Sequence, residues 1–141
     1  MRYLGIDYGE RRIGVAAADE EVRIAIPRGV IRYQDDAQAI GEIASLVKEA
    51  GAVKVIMGVP LAHDGADTQE SRIIRAFAAK LQTHIGIPIA FENEIFTTRM
   101  AEATGAGKKS DASAAAIILQ SYLDKKSEAR STKHEIRNKP Q

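Results

Sequence analysis

Two apolar runs open the chain. Residues 2–8, RYLGIDY, and 12–18, RIGVAAA, are dense in residues that suit buried strands, and the intervening YGER, with Gly9, reads as a turn. Residues 23–33, RIAIPRGVIRY, read as a third strand. Pro27 has no N–H to give a ladder, which puts that strand at a sheet edge or on a bulge. The period then changes. Ile40, Ile43, Ala44 and Val47 make a helical stripe within 36–50, with Asp35 and Gln38 at capping-box spacing and Gly51 at the stop. VKVIMGV, 53–59, is a short buried strand ended by Pro60. A second helix spans 68–84, with Ile73, Ile74, Phe77, Leu81 and Ile85 on its apolar face and Asp67 and Glu70 at capping-box spacing. IPIAFEN, 87–93, is the fifth strand. A short helical piece at 97–103, the basic loop TGAGKKS and a helix over 111–123, capped by Ser110, complete the pattern.

Three strands joined by short turns make an antiparallel meander, and two later strands reached through helices must run parallel by right-handed crossovers. The expected fold is α/β: a mixed five-stranded sheet flanked by helices.

Composition adds bounds. The length of 141 residues suits one domain, and 45% hydrophobic residues can bury a core. No apolar run approaches the ~20 residues of a membrane helix, so no membrane partner is expected. The absence of cysteine excludes disulfides and thiolate metal sites and, with no signal-peptide layout at the start, leads to a cytoplasmic expectation. The net charge of +1 hides an asymmetry, because residues 124–141 hold six Lys/Arg against three acids. Residues 125–141 therefore read as a basic, flexible tail after a domain at 1–124.

The apolar first strand carries Asp7, and a lone buried carboxylate costs several kcal/mol unless it is paired or bound to a cation. In such sheets ligands gather beyond the carboxyl ends of parallel strands. Asp7 ends the first strand, Glu92 and Glu94 end the last, and Asp111 opens the final helix. Oxygen ligands without cysteine suit Mg²⁺ or Mn²⁺, and a carboxylate cluster holding such ions can hydrolyse phosphodiesters. Asp111 read alone equally suits a helix's first turn, and Glu92 rivals Glu94, since residues two apart share a strand face. Arg11, Arg12, Lys108 and Lys109 are the basic groups placed to meet phosphates. With aromatics at 5%, a base-stacking platform is not expected. His63, His84 and His134 show no metal spacing, and His84 and His134 read as surface residues.

Four blocks in order carry a family resemblance: GIDYGERRIGVA (5–16), IMGVPLAHDGADTQESRIIRAFAAKL (56–81), NEIFTTRMA (93–101) and SDASAAAIILQSYLD (110–124). Over residues 1–124 the chain resembles the YqgF/RuvX family of Holliday-junction-resolvase-like proteins, also described as precursor 16S ribosomal RNA nucleases. The resemblance implies an RNase H-like fold and a metal-dependent nuclease acting on structured RNA or branched DNA, with a ribosomal precursor as one candidate. It puts the family's acids on Asp7, Glu94 and Asp111, as catalytic residues and ligands of Mg²⁺ or Mn²⁺. It adds Thr97, Thr98 and Arg99 to the nucleic-acid contacts. The family's usual Asp-Glu-Arg is Asn93-Glu94-Ile95 here, which removes one acid and one arginine and bears on catalytic strength and substrate choice. Two other classes stay open. One is a non-catalytic nucleic-acid-binding or ribosome-assembly factor on the same fold. The other is a nucleotide-binding module of actin/hexokinase type, which would need a second domain.

Overall fold

The computed structural model describes residues 1–94 and 111–138, with side chains through 127. Strands β1 (Arg2–Tyr8), β2 (Arg12–Asp19) and β3 (Ile26–Arg32) form the expected antiparallel meander. Helix α1 (Asp36–Ala50) leads to β4 (Ala52–Val59), which lies parallel to β1, and α2 (Gln69–Gln82) leads to β5 (Ile89–Asn93), parallel to β4. Helix α3 (Asp111–Asn138) follows. The sheet order is β3-β2-β1-β4-β5, so the first strand sits in the middle.

Helices cover both faces, which is why β2 and β4 are buried almost throughout. On one face Leu4, Ile6, Ile13, Val15, Val55 and Met57 pack against Ile40 and Ile43 of α1 and Ile74, Phe77 and Leu81 of α2. On the other, Tyr3, Ala16, Ala18 and Ile56 pack against Ala115, Ile118 and Leu119 of α3. The small residues on this second face let α3 lie close to the sheet.

Several expectations shift locally. The third strand begins at Ile26, not residue 23, because Arg23 turns through a left-handed backbone (φ 61°) and ties its guanidinium to Ser127 Oγ. Pro27 lies on the outer strand, beside a register shift between Val15 and Ala16, as its missing N–H requires. Asp35 does cap α1, accepting from Gln38 N at 2.8 Å, and Gly51 ends it at φ 62°. The cap of α2 is Thr68, one residue beyond the expected Asp67. Thr68 Oγ1 accepts from Ser71 N, and Thr68 N donates to Ser71 Oγ at 2.8 Å. Asp67 instead takes the Ser71 hydroxyl and the Arg75 guanidinium, each at 3.0 Å. Helix α3 runs through Asn138, past residue 123 where its apolar period ends and into the segment read as a tail.

Candidate active site

Asp7 stands near the carboxyl end of β1, directly opposite Gly14 of β2. Its side chain shares a face with Gly5 and Tyr3, the face that α3 covers. A Cβ at Gly14 would run into the carbonyl of Asp111, so the first residue of α3 rests on the bare backbone beside Asp7. A Cβ at Gly58, near the end of β4, would stand 2.5 Å from Ile118 Cδ1 and 2.7 Å from Glu94 Oε1. Glu94, which follows the last residue of β5, thus lays its carboxylate over the other glycine. Two missing side chains on the strands flanking β1 let acids from three distant stretches converge.

The electrostatics report that convergence. Burial, then the Asp111 carboxylate, lifts the Asp7 pKa from 3.8 to about 6. Burial, then Asp7, then Glu70 lifts the Glu94 pKa from 4.5 to about 7. Both groups are held toward their neutral forms by lost hydration and by a neighbouring carboxylate, Asp111 for Asp7 and Asp7 for Glu94. Asp111 faces a cation as well, with Arg12 Nε 3.4 Å from its Oδ2. Among the described residues no three acid or histidine side chains are grouped closely enough to hold a metal ion as they stand. The donor set nonetheless fits a hard divalent cation. It is oxygen-only, partly desolvated and burdened with mutual repulsion that a bound ion would relieve.

Glu92, the rival of Glu94, has a different situation. It is 4% exposed, accepts from Ser121 Oγ at 3.0 Å and pairs with Lys125 Nζ at 2.5 Å. Its charge is matched from well along α3, away from Asp111. Thr97, Thr98, Arg99, Lys108 and Lys109, with the helical piece at 97–103, lie outside the described residues. Arg11 and Arg12 line a concavity beside Asp111 together with Arg32. Sequence reading missed Arg32, although it falls in the expected third strand. It also missed Glu70, read only as a capping residue, which adds negative charge beside Glu94. His63 and His84 are exposed.

A five-stranded sheet with its first strand in the middle and helices on both faces defines an RNase H-like fold. A family model described as "RuvX: Holliday junction resolvase" matches residues 1–125, and the chain belongs to that family. A protein named "Putative pre-16S rRNA nuclease" from Anaeromyxobacter sp. (strain Fw109-5) is 37% identical over 133 residues, covering 88% of this chain and 97% of the relative. Its namesake from Syntrophus aciditrophicus (strain SB) is 38% identical over 133 residues, covering 88% and 89%. Among solved structures, Thermus thermophilus RuvC in complex with a Holliday junction substrate superposes with a TM-score of 0.57 at 16% identity, covering 87% of this chain and 93% of that one. The fowlpox virus Holliday junction resolvase gives 0.51 at 13%, covering 89% and 99%. These two likenesses are of fold. The protein is a hydrolase of the phosphodiester-cleaving class.

Proposed function

We propose that the chain is a divalent-metal-dependent nuclease that trims a ribosomal RNA precursor, with Asp7, Glu94 and Asp111 as the residues that hold Mg²⁺ or Mn²⁺. The carrying observation is the half-buried Asp7, set between two glycines over which the Asp111 backbone and the Glu94 carboxylate lie. When bound there, such an ion supplies charge neutralisation at the scissile phosphate and a more acidic water.

The chain's own residues do the rest. Asp7, on the central strand, gives a ligand that cannot drift, because its strand is hydrogen-bonded on both sides. Arg12 orients Asp111 and presents a guanidinium to the substrate backbone. Thr97, Thr98, Arg99, Lys108 and Lys109 remain candidate backbone contacts. The pre-16S names of the relatives favour a ribosomal precursor over a DNA junction, and a cytoplasmic location suits that substrate.

The test is cleavage of a 16S precursor fragment carrying its leader, beside a four-way DNA junction, in Mg²⁺, Mn²⁺ or EDTA. Metal-dependent cleavage of the precursor in preference to the junction is expected. Tight binding with no cleavage under any metal would instead make the chain a non-catalytic assembly factor.

A further inference from the structure

The concavity beside Asp111 measures about 690 Å³ and is lined by Gly9, Glu10, Arg11, Arg12, Arg32 and Tyr33 as well as Asp111. Its most unusual feature is a cross-strand pair. Arg12 of β2 lies directly opposite Arg32 of β3, so both side chains leave the ladder on one sheet face and line one concavity. Like charges at opposed positions destabilise a sheet. Arg12 has Asp111 at 3.4 Å, while no carboxylate among the described residues pairs with Arg32. The floor is fixed rather than loose. Tyr33 donates its hydroxyl to the Gly9 carbonyl and its backbone N–H to the Arg11 carbonyl at 3.2 Å, tying the β1–β2 turn to the end of β3.

The position is informative. Gly14 pairs with Asp7 on one side and Val30 on the other, and the Arg12–Arg32 pair lies two residues further along the same strands. Two residues of strand span about 6.6 Å. That step is comparable with the separation of successive phosphates on a nucleic-acid strand. Planar guanidinium groups gathered in one concavity are suited to phosphate oxygens, which accept them in bidentate fashion.

We infer that Arg32, with Arg12 and Arg11, forms a phosphate subsite that grips the nucleic-acid backbone about one nucleotide from the phosphate placed over Asp7. The assignment of the ligand rests on the nuclease reading, but the subsite binds without metal and is tested without cleavage. Glu10 lines the same concavity and opposes the anion, so it tunes affinity downward.

The experiment is a fluorescence-anisotropy titration of a labelled 16S precursor hairpin in EDTA at several salt concentrations. Arg32→Ala should weaken binding about tenfold and lower the salt slope by about one, whereas Arg32→Lys should keep the slope and recover part of the affinity. Glu10→Gln should tighten binding. Arg28→Ala is the control, an equal charge change on the same strand at a residue lining the groove toward α1. Arg32 is exposed, so folding should hold, and thermal melting checks it. An Arg32→Ala affinity equal to wild type, or a loss no larger than that of Arg28→Ala, overturns the subsite. Wild-type binding with no metal-dependent cleavage would defeat the nuclease reading alone. No wild-type binding at all would defeat both.

Discussion

Replacing Asp7 by Asn removes a charge that the free fold holds at a cost. Folding raises the Asp7 pKa from 3.8 to about 6. At about 1.4 kcal/mol per pH unit, that displacement corresponds to about 3 kcal/mol. The direction follows from proton linkage. The folded state holds the proton more tightly than the unfolded chain, so stability from this group is full below about pH 4, falls as pH rises to about 6, and stays lost above. Asn carries no such charge at any pH. In EDTA at pH 8, Asp7→Asn should therefore be more stable than wild type by up to about 3 kcal/mol, roughly 10 °C in melting temperature for a domain of this size. At pH 4 the two should nearly coincide. Saturating Mn²⁺ should reverse the order, because a ligand that binds only the folded state stabilises the protein that can hold it. Calorimetric or fluorescence melts at both pH values, with and without Mn²⁺, read all of this, and the same preparations should show cleavage lost in the variant. The reasoning is refuted if the Asn variant melts at or below wild type in EDTA at pH 8. It is equally refuted if the gap is the same at pH 4, or if the variant gains as much from Mn²⁺.

Four further outcomes are expected. Glu94→Gln should behave like Asp7→Asn, more stable than wild type in EDTA above pH 7 and deficient in Mn²⁺ binding by titration calorimetry, since its pKa is raised to about 7. Glu92→Gln should do the reverse, keeping Mn²⁺ binding while losing about 1–3 kcal/mol in urea denaturation, because it leaves Lys125 and Ser121 facing a weaker acceptor. Gly14→Ala should lower stability by about 1–3 kcal/mol and cleavage by far more, as a methyl there pushes against the Asp111 carbonyl; melting and a cleavage time course check the two effects separately. Arg12→Ala should change stability by only about 0.5 kcal/mol, since both partners of its ion pair are more than a third exposed to solvent, yet weaken binding of the precursor hairpin in anisotropy.

The sheet was legible in the sequence because its signals are local and redundant. Each strand is short, apolar and punctuated, and the change of period at residue 36 separates the meander from the crossovers. Misreadings fell where two local solutions compete within one residue. Asp67 and Thr68 both suit a helix cap, and the choice went to Thr68 because Ser71 answers it reciprocally while Arg75 claims Asp67. The far part of α3 lacks the apolar period that betrays a buried helix, so its extent could not be read from a hydrophobic stripe. Asp7 was legible as an anomaly and the strand-end positions of the acids as a gathering, but the means by which they approach was not. That depends on Gly14 and Gly58, whose meaning appears only when strand register sets one beside Asp7 and packing sets Asp111 and Glu94 above the two. Arg32 was hidden for the same reason, since nothing in a linear chain says that residue 32 faces residue 12.

The places where this chain departs from local consistency are not scattered. A carboxylate in an apolar strand, two arginines opposed across a ladder and a glutamate laid over a strand backbone all fall on the sheet face covered by α3, near the open end of the strands. Glu92 shows how such a departure looks once it serves structure alone. It is buried more completely than any other acid described, and Ser121 and Lys125 answer it. The remaining acids are answered differently. Arg12 meets Asp111 at 3.4 Å across partly open surface, and Asp7 and Glu94 are pushed toward their neutral forms. This face holds a negative cluster beside a positive one, and in the proposed function a cation meets the first and a phosphate the second. That pairing of opposite demands, one short step apart on the same strands, matches a substrate that is itself a chain of phosphates met by a divalent ion.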